Sequence, residues 1–266
     1  MDKHLKRKLG DDLYQACRAG RVEDISSLEE RFRRENPAYT LPLSAMMTVA
    51  AETDQANMVS YCLEQGGAVT DAVMTTLISA NSFETHRLLV ASKAVDINRF
   101  VPWFGDILGV VAPEGNYEWT RFCLENGADP NLNKVDGFKS VLAAAAERST
   151  TEMVALLIEH GAQLNGSGAL ILAAEAGRKE MAEFLLDRGA DIDEMGFEDP
   201  TDEREVEDMG TPIHKAIING HRDVVELLIG RGANIELKDA KGRTPLSLVR
   251  ESGHPELGRL LQSSDA

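Results

Sequence analysis

One landmark recurs along this chain and limits what it can fold into. A small or apolar pair is followed by a polar turn, an apolar run and a Gly-Ala step. Residues 145–158, 173–186 and 216–229 carry clear copies, closing at Gly161-Ala162, Gly189-Ala190 and Gly232-Ala233. Looser copies close at Gly127-Ala128 and Gly66-Gly67. With each copy anchored on its first small or apolar residue, the anchors are Ala16, Ala50, Leu77, Val111, Ala145, Ala173, Ala216 and Val249. Their spacings are 34, 27, 34, 34, 28, 43 and 33. A period near 33–34 residues predicts a stack of supersecondary units, a solenoid, rather than a globule built on one central core.

Each unit reads as two short helices. The first is rich in Ala and packs close to its neighbours, and the second carries Leu, Val, Ile and Met at helical spacing. Gly20, Gly115, Gly177, Gly220 and Gly253 stand in the turn between them, where a helix closes through a left-handed residue. No such pair covers its own apolar face, so a run of them must stack.

The chain has 266 residues, 43% of them hydrophobic, which places it among ordered chains. Three cysteines cannot staple a chain of this size, so a reduced compartment is expected. The net charge of −16 makes nucleic acid and anionic membrane surfaces poor partners. No apolar stretch follows the N-terminus and none reaches the length of a bilayer span. The expected location is cytoplasmic, or nuclear if Lys6-Arg7-Lys8 serves as an address rather than a solvated basic arm over residues 1–10.

Thr211-Pro212-Ile213-His214 with Gly220-His221, and Gly242-Arg243-Thr244-Pro245-Leu246 with Gly253-His254, resemble ankyrin repeats. So do Gly127-Ala128-Asp129-Pro130-Asn131 and Gly232-Ala233-Asn234-Ile235-Glu236. The acidic segment before Thr211 adds a resemblance to fungal ankyrin proteins. The resemblance covers residues 11–262: divergent repeats over 11–98, clearer ones over 99–193, an acidic insertion at 194–209 and the last repeats over 210–262, before a tail at 263–266. It implies an all-α ankyrin repeat solenoid of about eight helix-turn-helix units. β-hairpin or loop fingers would line one edge, and a concave groove would be formed by the first helices.

Departures from the period are informative. The two short spacings, Ala50 to Leu77 and Ala145 to Ala173, predict fingers reduced to turns. The long one holds ten acids between residues 191 and 208 against Arg204 alone, a net −9. It reads as an exposed loop, either a dock for a basic partner, led by Asp199, Asp202, Glu203 and Glu205, or a solvated insertion. Asp191, Asp193, Gly196 and Asp202 fit a calcium-loop count, but Met195 takes a ligand position and position 12 is Asp, so no metal is expected. Six of the 14 aromatic residues lie between positions 100 and 122. Trp119 and Phe122 fall on core positions of a second helix. Trp103 and Phe104 fall in a finger, where they either anchor a partner or fold back over the neighbouring shortened finger.

No phosphate loop, zinc motif or nucleophile motif is present, and no cofactor is expected. Cys17, Cys62 and Cys123 read as core residues. His214, His221 and His254 sit where the ankyrin pattern places turn-tying imidazoles. His4, His86 and His160 have no partner visible in the sequence. Glu147, Glu175 and Glu251 share one register at the end of the first helix, with Glu147 and Glu175 about 10 Å apart. In the family this register faces the groove. The resulting expectation is a non-catalytic protein-interaction scaffold, monomeric by default. Trp103 and Phe104 would anchor a basic or extended protein partner, with Glu147, Glu175 and Glu251 in the groove and the acidic loop as a second contact. The alternative is a small-molecule enzyme or binder with a pocket around the aromatic residues, served by Asp106, Glu114 or His86. A third reading is a capping subunit that binds through its convex surface.

Overall fold

A computed structural model describes residues 2–135, 137–196 and 209–262. The chain divides into two compact units, Met1–Ile107 and Leu108–Ala266. Both are built of helix-turn-helix pairs, and seventeen helices are found among the described residues.

The first unit comprises α1 (Asp2–Leu9), α2 (Asp11–Arg18), α3 (Ile25–Glu35), α4 (Leu43–Glu52), α5 (Ala56–Glu64), α6 (Asp71–Ser79) and α7 (Phe83–Ala91). First helices pack on first helices, α2 on α4 and α4 on α6, while α5 packs on α7. The basic N-terminal segment, expected as a solvated arm, forms α1. It lies against α2 and α4 and buries Leu9, as a cap over the open end of a stack does.

The second unit holds α8 (Ile107–Val111), α9 (Tyr117–Glu125), β1 (Lys134–Val135), β2 (Lys139–Ser140), α10 (Val141–Arg148), α11 (Thr151–Glu159), α12 (Ala169–Glu175), α13 (Lys179–Asp187), α14 (Pro212–Ile218), α15 (Arg222–Gly230), α16 (Pro245–Ser252) and α17 (Gly258–Gln262). First helices α10, α12, α14 and α16 pack in succession, and second helices pair α9 with α11, α13 with α15 and α15 with α17. Close approach of the first helices follows from their small residues, since Ala143 to Ala146, Ala169, Ala173 and Ala174 are all fully buried.

The second helices bury two adjacent positions per repeat. One is Met58, Thr85, Trp119, Met153, Met181 and Val224, and the next is Val59, His86, Thr120, Val154, Ala182 and Val225, counted from the closing step. Thr85, His86 and Thr120 are the polar residues at these positions. The hydroxyls of Thr85 and Thr120 are buried without a hydrogen-bond partner, an arrangement that costs free energy.

Four residues after each anchor the backbone turns left-handed. Gly20, Gly115, Gly177, Gly220 and Gly253 have φ of 65, 81, 67, 71 and 81°, and Asp54 and Asn81 take the same role at 53 and 57°. Ser149 is the exception, extended at φ −107°. The carbonyls orphaned at the ends of first helices are bonded by the next repeat. Thr53 Oγ1 donates to the Arg18 carbonyl at 2.9 Å and Asn57 Nδ2 to Gly20 at 2.7 Å. In the second unit Arg178 donates to Ala146 at 3.0 Å and His221 Nε2 to Glu175 at 2.9 Å.

The fingers follow the length arithmetic. The full-length finger before α10 is the antiparallel β1–β2 hairpin, whereas residues 65–70 and 160–168 are turns. A side-chain ladder ties the closing steps together. Asn131 Oδ1 accepts the Gln163 N–H at 2.8 Å, Asn165 Oδ1 that of Asp191 at 2.9 Å and Asp193 Oδ1 that of Asn234 at 2.9 Å. Glu194, the first acid of the expected insertion, is not part of an exposed loop. It is buried, and its carboxylate accepts the Gly168 N–H at 2.8 Å, at the N-terminus of α12 where an acid is favoured.

Candidate partner-binding site

Trp103 occupies a position that the sequence rules discourage. Phe104 N–H donates to the Val101 carbonyl at 3.0 Å, closing a four-residue turn with Pro102 and Trp103 in its centre. Pro in the second position and φ of 74° at Trp103 give the type II arrangement, whose third position ordinarily holds Gly or Asn. A β-carbon there costs about 1–2 kcal/mol. Val101 and Gly105 close the turn as an isolated antiparallel bridge. Arg99 fixes the base of the finger to α6 through Asp71 at 2.7 Å. The Trp103 side chain is fully exposed among the described residues, and Phe100, three positions before it, is exposed as well. Phe104 is half-buried. The indole therefore projects and does not fold back. Trp119 is buried on α9 and Phe122 is half-buried.

The three acids of the first-helix face carry basic partners. Lys139 Nζ lies 2.8 Å from Glu147 and Arg148 Nε 3.4 Å from it. Lys215 lies 3.4 Å from Glu175 and Arg243 3.6 Å from Glu251. Arg243 is committed chiefly to Asp239, at 2.7 Å. Burial of Asp239 works to raise its carboxyl pKa, but the hydrogen bonds from Arg243 outweigh it and hold the pKa down. Exposure of the three glutamates rises along the face, 28% at Glu147, 41% at Glu175 and 59% at Glu251. One residue of this register escaped the sequence reading. Ile218, two residues after the Ala216 anchor, stands between Glu175 and Glu251 in repeat order and is 40% exposed. Counting from the anchors would have found it, but a search restricted to acids passes over it.

Asp199, Asp202, Glu203 and Glu205 lie outside the described residues. Asp191 and Asp193, the first two members of the calcium-loop count, are engaged in the closing-step ladder, Asp191 Oδ1 accepting the Asp193 N–H at 3.0 Å. No group of three or more His, Cys, Asp or Glu side chains among the described residues is placed to hold a metal ion. Cys17 and Cys62 are buried and their thiols pushed up to about 12 by that burial, where no nucleophilic thiolate forms.

His214 does tie its own turn. Its Nδ1 accepts from the Thr211 N–H at 3.3 Å and lies 2.7 Å from the Thr211 hydroxyl, while Nε2 donates to the Arg243 carbonyl at 3.0 Å. Those contacts require the neutral ring, and burial lowers its pKa accordingly. His221 instead joins two repeats, through Glu175. The side chains named for a catalytic pocket are dispersed in character. Asp106 and His86 are buried, Glu114 is exposed, and a fully exposed Trp103 walls no cavity.

Helix pairs in register, with a rigid finger edge and a first-helix face, define a repeat-built interaction module. Residues 108–195 and 198–266 match the family described as ankyrin repeats. The chain belongs to the ankyrin-repeat family. It is 33% identical over 157 residues to the cyclin-dependent kinase 4 inhibitor B of Rattus norvegicus, covering 59% of this chain and 91% of that protein. It is 33% identical over 159 residues to the human cyclin-dependent kinase inhibitor 2A, 60% of this chain and 77% of that one. A stretch of 56 residues is 36% identical to the potassium channel AKT1 of Oryza sativa subsp. indica, 21% of this chain and 6% of the channel. No helix among the described residues is long and apolar enough to cross a membrane.

Proposed function

We propose that this chain is a non-catalytic interaction scaffold that binds another protein through the Trp103 finger and the first-helix face. The observation that carries this reading is Trp103, held at φ 74° and fully in solvent. Strain retained with no internal return is a mark of binding sites, and exposed aromatic side chains dominate binding hot spots. Phe104 supports the turn from a half-buried position. A rigid stack loses little entropy on binding, and the −16 net charge favours a basic or extended partner through its steering field. The names of the relatives make a cyclin-dependent kinase the first partner class to test. Asp199, Asp202, Glu203 and Glu205 of the acidic segment would act as a second, electrostatic contact. The test is a binding titration of purified cyclin-dependent kinase 4, with wild type and Trp103→Ala compared. A loss of more than about 1 kcal/mol in the variant supports the anchor role; equal binding removes it.

A further inference from the structure

We infer that the first-helix face of the second unit reads an extended segment in which one apolar residue stands three positions from a cation on either side. This rests on the scaffold reading and gives its partner a chemistry. The argument begins at Ile218. Its register position holds Glu175 and Glu251 in the two flanking repeats and Glu147 one repeat further on, and here it carries a branched apolar side chain that is 40% exposed. The packing of α12 on α14 and of α14 on α16 sets Glu175, Ile218 and Glu251 in successive layers. Adjacent helices lie about 10 Å apart, and an extended chain in the polyproline II form advances about 3.1 Å per residue and returns every third side chain to the same face. One layer therefore corresponds to three residues of an extended partner, and the complementary pattern is cation-x-x-apolar-x-x-cation.

The flanking acids differ in how far they are already neutralised. Glu147 is held by two bases, the nearer at 2.8 Å. Glu175 has Lys215 at 3.4 Å. Among the described residues Glu251 pairs with Arg243 at 3.6 Å, and that guanidinium is bound more closely to Asp239. Exposed pairs of this kind hold weakly and yield to a competing cation. The negative potential left for a partner therefore grows from α10 to α16. The apolar residue seats on Ile218, one cation reaches Glu251 and the other shares Glu175 with Lys215.

The experiment uses the full chain and two fluorescent undecapeptides of identical composition. One carries Lys-x-x-Leu-x-x-Lys with Ser and Gly at the other positions. The second keeps both lysines in place but moves the leucine beside one of them. Anisotropy titration at low salt is expected to give at least fivefold tighter binding of the first peptide. Ile218→Ser should abolish that preference. Glu251→Gln should weaken the first peptide more than Glu175→Gln does, and Glu147→Gln should leave it within twofold. Thermal melts confirm that each variant is folded. Equal affinity for the two peptides, or equal effects of the three Gln variants, overturns the inference, since charge alone would then account for binding. If neither peptide binds while cyclin-dependent kinase 4 is still bound in a Trp103-dependent way, this inference falls and the scaffold reading stands.

Discussion

His221 Nε2 stands 2.9 Å from the carbonyl oxygen of Glu175, 46 residues upstream, and donates to it. The His221 ring also lies flat against Gly177, where an added β-carbon would come within 2.5 Å of Nδ1. A repeat thus closes the end of its neighbour's first helix and leans on its turn. His221→Ala should lower the stability of the second unit by about 1–2 kcal/mol, the range of a partly buried hydrogen bond together with lost packing. Gly177→Ala should cost at least as much, because φ is 67° there and the ring must move. Chemical denaturation of both variants checks this, and an unchanged midpoint for either would show that the contact carries no stability.

Lys93 occupies the closing-step position that Gly66, Gly127, Gly161, Gly189 and Gly232 hold in five other repeats, at φ of 57°. Nothing in the fold requires a lysine there. Lys93→Gly should raise stability by about 0.5–1 kcal/mol, the left-handed penalty removed less the added chain entropy of glycine. The gain should appear in the melting of the first unit.

His86 stands at the position that Val59 holds in the preceding repeat of the first unit, and burial pushes its pKa down to about 4. The native state therefore resists a proton that the unfolded chain accepts near pH 6.5. The stability associated with the neutral ring is complete above that value. It falls as pH drops from about 6.5 to about 4, by about 3 kcal/mol in all. His86→Val should remove this pH dependence and leave the variant the more stable at pH 5. Parallel slopes for wild type and variant across that window would show that His86 is not the source.

Helix existence, register and finger length were legible in the sequence because each rests on local rules. Ala-rich first helices, apolar second helices and turn glycines repeat at a countable interval, and missing residues shorten a finger wherever they fall. The left-handed roles of Asp54, Asn81 and Lys93 were not read from the sequence, because none of the three is the glycine that marks such a position elsewhere. The pairing of Glu147 with Lys139 was not legible, since a finger residue reaches a helix end only after the hairpin folds. Nor was Glu194, whose neighbours suggested a solvated acid while the N-terminus of α12 holds it in the interior. Trp103 was visible as an aromatic in a finger. That it projects, rather than folding back, depended on the turn that Pro102 starts.

The projecting indole separates stability from binding, because glycine is the residue its turn prefers. Trp103→Gly should keep or raise the melting temperature of the first unit while removing the anchor. The most direct test of the scaffold account is therefore an affinity capture read by quantitative mass spectrometry, with wild type and Trp103→Gly as matched baits. The account predicts proteins retained on wild type and depleted at least fivefold on the folded variant. Equal retention of every captured protein on the two baits would contradict it.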